Sequence, residues 1–266
     1  MKIICLSLLL LILCTPLAQA QNDIGAISQT LMHYIEGTTN GQPERLRKAF
    51  HPDFQLFLAA ADTLRTIDGQ GYISRVKKGQ KYNRKSRIVS IDYENDAAMA
   101  KIEVYFPDTK RIATDYLMLL KLNDDWKIIT KFINVKNYKS IQDLQTKEKQ
   151  GIAEVKETLQ HYIEATANGQ PGRLMQAFHP DLNLYYVKNK QLAIIPGKRY
   201  IKNFEVGKKY ARIGNVLAID YENDAAVGKI QILMPNRNRI AIDYLFLLKI
   251  NGTWKIIHKS FTSKVY

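Results

Sequence analysis

Phe50-His51-Pro52-Asp53 and Phe178-His179-Pro180-Asp181 are the same four residues 128 positions apart, and the offset recurs down the chain. Ile91-Asp92-Tyr93-Glu94-Asn95-Asp96 returns as Ile219-Asp220-Tyr221-Glu222-Asn223-Asp224, and Asp115-Tyr116-Leu117 as Asp243-Tyr244-Leu245. Trp126-Lys127-Ile128-Ile129 returns as Trp254-Lys255-Ile256-Ile257. Residues 22–138 align with 150–266 without a gap, and roughly half the positions are identical. Solenoid units run to ~20–50 residues, so this period describes two complete domains instead. One reading of fold and site therefore serves twice, and the second copy checks the first.

Residues 1–20 belong to neither copy. Lys2 gives a positive start, residues 3–13 are apolar apart from Ser7, and Ala18-Gln19-Ala20 has the small residues of a cleavage site. This predicts a secretory signal peptide, too short in its apolar stretch to span a bilayer comfortably. A lipid anchor at Cys14 is the rival reading, and the bulk of Leu13 just before it argues against that. The expected product is exported, periplasmic or extracellular. Cys5 and Cys14 are the only cysteines, so the mature chain would have no disulfide, thiol nucleophile or thiolate metal site. Modules of this size can be stable through their cores alone. No other stretch is apolar enough to predict a transmembrane span.

The net charge of +14 is concentrated between Arg75 and Arg87, where Lys77, Lys78, Lys81, Arg84 and Lys85 occur with no acid among them. Such clusters attract polyanions. Copy two keeps Lys209 and Arg212 but has Glu205 and Val206 where Lys77 and Lys78 stand. That dilution, with export, favours a solvated connection and no nucleic-acid partner.

Within a module, Ile24, Ile27, Leu31, Tyr34 and Ile35 recur at helical spacing, as do Ile152, Val155, Leu159, Tyr162 and Ile163. Asn40-Gly41 stops this helix, since both residue types tolerate positive φ. Pro43 opens a short second helix, which His51-Pro52 closes. Strands are expected at 54–59 and 63–67, a third helix at 69–78, and strands at 87–93, 97–106, 111–122 and 126–135. Short turns join the last four, which predicts an antiparallel meander. The expected architecture is α+β: two tandem modules, each with three helices packed on a curved, mainly antiparallel sheet. The module boundaries are 21–138 and 150–266, with a polar linker at 139–149.

This element order resembles the nuclear transport factor 2-like superfamily of cone-shaped α+β folds. Ala-Phe-His-Pro-Asp, followed late by Asp-Tyr-Leu-x-Leu-Leu-Lys and Trp-Lys-Ile-Ile-x-Lys, is similar to its bacterial branch described as putative lumazine-binding. The resemblance covers both modules and implies a small-molecule pocket in each cone. Its motifs are weakly specific for any activity, because the fold hosts isomerases, dehydratases, binding modules and scaffolds.

The last hairpin can be registered from its turn. If Leu122 faces Trp126, then Leu117 lies opposite Lys131 and Asp115 opposite Ile133, making Asp115 and Lys131 diagonal neighbours on one face. Asp243 and Lys259 follow suit. Tyr116 and Tyr244 then point to the other face. The Asp–Lys pair has two readings, a ligand-binding pair or a mutually neutralised pair on a covered face; the second is favoured. His51 and His179 sit at the expected cone mouth as base or ligand donor, or as helix-end turn residues. Tyr34, Tyr72, Tyr162 and Tyr200 complete the ligand-binding candidates, with His258 from a diverged wall. In that wall Phe57-Leu58-Ala59 becomes Tyr185-Tyr186-Val187, Met118 becomes Phe246, and Thr130-Lys131-Phe132 becomes His258-Lys259-Ser260. His33 and His161 read as rim residues.

No His-x-His or Glu-x-x-His spacing, phosphate loop or nucleophile elbow occurs, so no metal, cofactor or catalytic residue is predicted. Three functions stay open. One is a non-catalytic module binding aromatic or anionic small molecules. The second is an isomerase- or dehydratase-like enzyme using a His or Asp base. The third is an envelope scaffold with a basic docking surface. The shared polar residues and changed wall favour binding. The two doubly apolar last hairpins predict intramolecular pairing of the modules, sheet to sheet.

Overall fold

The computed structural model describes residues 15–60, 63–137 and 151–266, with side chains from residue 23 onward except Ala60. The apolar run of the expected signal peptide and the expected linker at 139–149 lie outside the described residues. In the first module α1 is Thr15–Thr39, α2 Pro43–Ala49, β1 Phe50–Ala60, β2 Thr63–Asp68 and α3 Gly69–Ser74. Then follow β3 Lys85–Glu94, β4 Ala97–Phe106, β5 Arg111–Leu122 and β6 Asp125–Asn137. The second module repeats this order. It has α4 Gly151–Asn168, α5 Pro171–Ala177, β7 Phe178–Lys188, β8 Gln191–Pro196 and α6 Gly197–Ile201. Its meander is β9 Ile213–Glu222, β10 Ala225–Met234, β11 Arg239–Ile250 and β12 Thr253–Val265.

Each module has one six-stranded mixed sheet, ordered β2-β1-β6-β5-β4-β3 and β8-β7-β12-β11-β10-β9. The meander is antiparallel as expected. β1 joins it by a parallel pairing to β6, and β2 by an antiparallel pairing to β1. Two expectations need correction. The third helix ends at Ser74, four residues early. The second ends at Ala49, with Phe50 already extended at φ −94°, so His51-Pro52 lies inside β1 and does not close the helix.

Gly41 shows how the first helix turns over. It takes φ +60°, and a side chain there would run into the carbonyls of Lys77 and Gln80 at 2.4 Å. Its own carbonyl accepts from Gly79 N at 2.7 Å, and Thr39 O accepts from Tyr82 N at 2.8 Å. Only a residue without Cβ permits this approach, and the result fixes the segment that carries Arg84. Gly169 repeats the device against Glu205 and Lys208.

The helices of each module cover one face of its sheet, forming a core around Leu31, Tyr34, Phe50, Phe54 and Leu117 in the first and around Leu159, Tyr162, Phe178 and Leu245 in the second. α1 is tied to the hairpin by Asp23, which accepts from Lys121 Nζ at 2.6 Å and from Trp126 Nε1 at 3.2 Å. In the second module Glu154 does this for Lys249 and Trp254. Ala26 holds the equivalent position in the first, so the same tie leaves the helix about one turn away. A third buried cluster takes its side chains from both sheets. Tyr116, Met118, Leu120 and Phe132 meet Tyr244, Phe246, Leu248 and Ile257 there.

Candidate functional site

Asp115 and Lys131 come together on the helix-covered face. Asp115 Oδ2 lies 3.0 Å from Lys131 Nζ, with the residues 1 % and 3 % exposed. Tyr34, reaching down from α1, bridges them. Its hydroxyl donates to Asp115 Oδ2 at 2.5 Å and accepts from Lys131 Nζ. The second module repeats the triad, with Tyr162 2.7 Å from Asp243 Oδ2, and Lys259 Nζ 2.6 Å from Tyr162 and 2.7 Å from Asp243. Burial, then the neighbouring Asp115 charge, pushes the Tyr34 phenol well above its usual range, so it stays a neutral bridge. Tyr162 is raised by burial and Asp243 in the same way.

In the first module Asp115 and Lys131 of this triad line the floor of a cavity. One part, of about 200 Å³, is lined by Tyr72, Arg84, Phe106, Arg111, Asp115 and Lys131 among others. An adjoining part of about 420 Å³ shares Tyr72, Arg84, Ile133 and Val135 and extends past Leu58 and Tyr82. Lys131 Nζ lies 4.5 Å from the Tyr34 ring centroid and 5.3 Å from that of Tyr72. Arg84 and Arg111 sit over the Phe106 ring at 5.2 and 5.8 Å. Three cations thus line the first part, which contains one carboxylate, and Arg75 adds a fourth in the second. Desolvation alone would lower the Arg84 pKa, but Tyr34, Tyr72 and Asp115 around it raise it on balance, keeping the guanidinium charged. Two atoms here are buried without a hydrogen-bond partner, the acceptor Asp115 Oδ1 and the donor Arg84 Nε.

Of the residues singled out in the sequence, Tyr34, Tyr72, Asp115 and Lys131 gather in the first cone, and Tyr162, Tyr200, Asp243 and Lys259 in the second. The others do not. His51 lines neither part of the cavity; its Nδ1 accepts from Asp53 N at 3.2 Å, as His179 does from Asp181 N, so each imidazole is held by the backbone of its own strand. Burial lowers both histidine pKa values, against the nearby Asp53 or Asp181. His33 and His161 are half-buried acceptors for Arg45 and Arg173.

Tyr116, Tyr244 and His258 are on the opposite face, among the residues of both sheets. Tyr116 OH donates to Asp220 Oδ1, to which Lys101 Nζ also donates at 2.7 Å. Tyr244 OH and Lys229 Nζ both reach Asp92 Oδ1 at 2.6 Å. These are equivalent contacts from equivalent residues. His258 is fully buried, bonded to Thr130 Oγ1 at 3.1 Å and Ser260 Oγ at 2.8 Å and stacked on Tyr185. Most of the supposed cone wall is corrected with it, although Leu58 does line the cavity. Met118/Phe246, Thr130/His258 and Phe132/Ser260 diverge where the sheets meet, because an even strand period sends residues flanking Lys131 away from the cone.

Sequence reading missed Arg84, Phe106 and Arg111. Arg84 carried a usable signal. It is retained as Arg212 while Lys77 and Lys78 are lost, and unlike those exposed lysines it is half-buried. Among the described residues no group of three or more His, Cys, Asp or Glu could hold a metal, and no helix is long and apolar enough to cross a membrane.

A family model described as "Putative lumazine-binding" matches residues 22–133 and again 150–262. No curated protein gives a significant match. Among solved structures, an NTF2-like protein of unknown function from Silicibacter pomeroyi is 16% identical, covers 45% of this chain and 100% of its own, and has a TM-score of 0.40. One from Shewanella baltica is 25% identical over 44% of this chain and 96% of its own, with TM-score 0.39. One from Methylobacillus flagellatus is 27% identical over 43% and 93%, with TM-score 0.39.

Proposed function

We propose that this chain, which belongs to the putative lumazine-binding family in two tandem copies, is an exported, non-catalytic binder of small planar molecules carrying negative or carbonyl oxygen. The observation that carries this reading is the first cone. Its cavity is walled by Tyr72 and Phe106 and lined by Arg84, Arg111 and Lys131 against the single carboxylate of Asp115. Aromatic walls favour a flat ligand, and surplus cations favour oxygen-rich ones. The family description names one such molecule, a pteridinedione.

The absence of turnover in this reading is supported by the ion pair that ties Asp115 to Lys131 and by the place of His51 outside the cavity. Asp115 Oδ2 is engaged by Tyr34 and Lys131, and His51 Nδ1 by a backbone amide. Residues 1–20 support export. The contacts between Asp92, Lys101, Tyr116 and their second-copy counterparts support the two sheets as permanent partners within one chain.

Native mass spectrometry of protein isolated from the envelope of its own cell, followed by lumazine titration read by the ligand's fluorescence, tests this. The expected result is a chain starting at Gln21 that carries a co-purified molecule or binds lumazine, with affinity lowered at least tenfold in Arg84→Met. A chain retaining residues 1–20 refutes export. Finding neither a co-purified molecule nor lumazine binding would refute the binding reading.

A further inference from the structure

The two cones share their floor but not their filling. Ile133 borders both parts of the first cavity, and its counterpart in the second module is Phe261. The Phe261 ring stacks on Tyr186 at 5.0 Å, and its centroid lies 5.1 Å from Lys259 Nζ. Tyr186 stands where the first module has Leu58, itself a cavity-lining residue. The phenyl ring thus spans, from Tyr186 to the lysine, the region that stays open between Leu58 and Lys131.

A second replacement acts in the same direction. Val76, on the wall of the first cavity, becomes Phe204. Phe204 is 7 % exposed and packs edge-on against Tyr200 and Tyr210, each at 5.3 Å. Arg212 lies over Phe204 at 5.8 Å, whereas Arg84 lies over Phe106 at the rim of the first cavity. Phe106 itself is replaced by Met234.

We propose that the protein takes one ligand per chain, in the first cone only, and that the second cone is closed by its own Phe261 and Phe204. This rests on the binding reading of the first module and adds both its stoichiometry and the groups that read the ligand. The buried acceptor Asp115 Oδ1 and buried donor Arg84 Nε, both without partners, call for a ligand with an N–H or O–H beside a carbonyl or anionic oxygen, the edge of a cyclic imide or lactam. Arg212 Nε is unpartnered too, but in that cone the space a ligand would need is held by phenyl rings.

Xenon under pressure reads apolar space without any assumption about the ligand, and lumazine reads the imide edge. Crystals of the full chain should show xenon between Tyr72, Ile133 and Val135 and none beside Lys259. Phe261→Ile should admit a second xenon site, and the reciprocal Ile133→Phe, which only copies a side chain the fold already carries, should remove the first. Calorimetry should give one lumazine per wild-type chain and none for Ile133→Phe. Xenon in both cones or in neither, two lumazines per chain, or an unchanged first site in Ile133→Phe would overturn the proposal. Single-cone xenon without lumazine binding would sink the imide-edge assignment, and with no co-purified molecule either the binding reading too, while leaving the closed second cone intact.

Discussion

Lys131 is an ammonium group with almost no contact with solvent, and its charge is answered by Asp115 and shared through Tyr34. Removing one member leaves the others charged or polar and almost wholly shielded from solvent. Lys131→Met should therefore cost about 3–5 kcal/mol. Lys131→Met with Asp115→Leu should recover much of that, and most of it once Tyr34→Phe removes the stranded hydroxyl. Urea melts of the three variants check this, and a Lys131→Met protein as stable as the wild type would contradict it. His258 poses the opposite problem, a titratable group that must stay neutral. Burial pushes its pKa down to about 3, against ~6.5 when unfolded. Between those values the unfolded chain binds the extra proton, so stability is full above ~6.5 and falls as the pH drops. The slope approaches about 1.4 kcal/mol per pH unit. From pH 7 to pH 5 the wild type should lose about 2 kcal/mol more than His258→Thr. Parallel pH profiles for the two proteins would refute the assignment.

At the scale of elements, the β5–β6 hairpin shows how much a sequence can reveal. Its turn is two residues, Asn123 and Asp124 at φ +48° and +70°, so Leu122 faces Asp125 and Lys121 faces Trp126. A three-residue turn was expected, an error of one residue that would ordinarily move every side chain to the wrong face. A bulge at Ile129 adds the missing residue, and beyond it Leu117 faces Lys131 and Asp115 faces Ile133. β11–β12 does the same at Ile257. The pairing of Asp115 with Lys131 was legible because the bulge restores, beyond it, the register that a three-residue turn predicts, and the period of two then puts both on one face. The bulge was not, since Ile128 and Ile129 are both apolar and either could face either core. The cone's remaining residues were hidden for a different reason. Arg84 comes from the loop before β3, and Phe106 and Arg111 from the paired ends of β4 and β5, so the arginine joins them only through tertiary folding.

For the whole molecule, the contacts across the sheets are nearly self-complementary. Asp92, Lys101 and Tyr116 meet Asp220, Lys229 and Tyr244 in both directions. Lys136 to Glu222 is mirrored by Lys264 to Glu94. Residues 22–138 made alone would leave Tyr116, Met118, Leu120 and Phe132 uncovered, and they can find the same partners on a second copy of themselves. Sedimentation of this fragment should therefore show a concentration-dependent dimer. A strict monomer that binds no apolar dye would refute permanent pairing as the reason for this surface.

Thr130 and His258 occupy equivalent positions and touch each other, so they sit where a residue of a symmetric dimer would meet its own duplicate. There, every mutation is inherited twice and must be compatible with itself. Two buried imidazoles, or two hydroxyls with no base between them, would be the only offspring available. Joining two genes into one reading frame removes that rule. Each half can then accumulate what the other lacks, which is how a histidine can come to face a threonine, and how one cone can fill while its sister stays open.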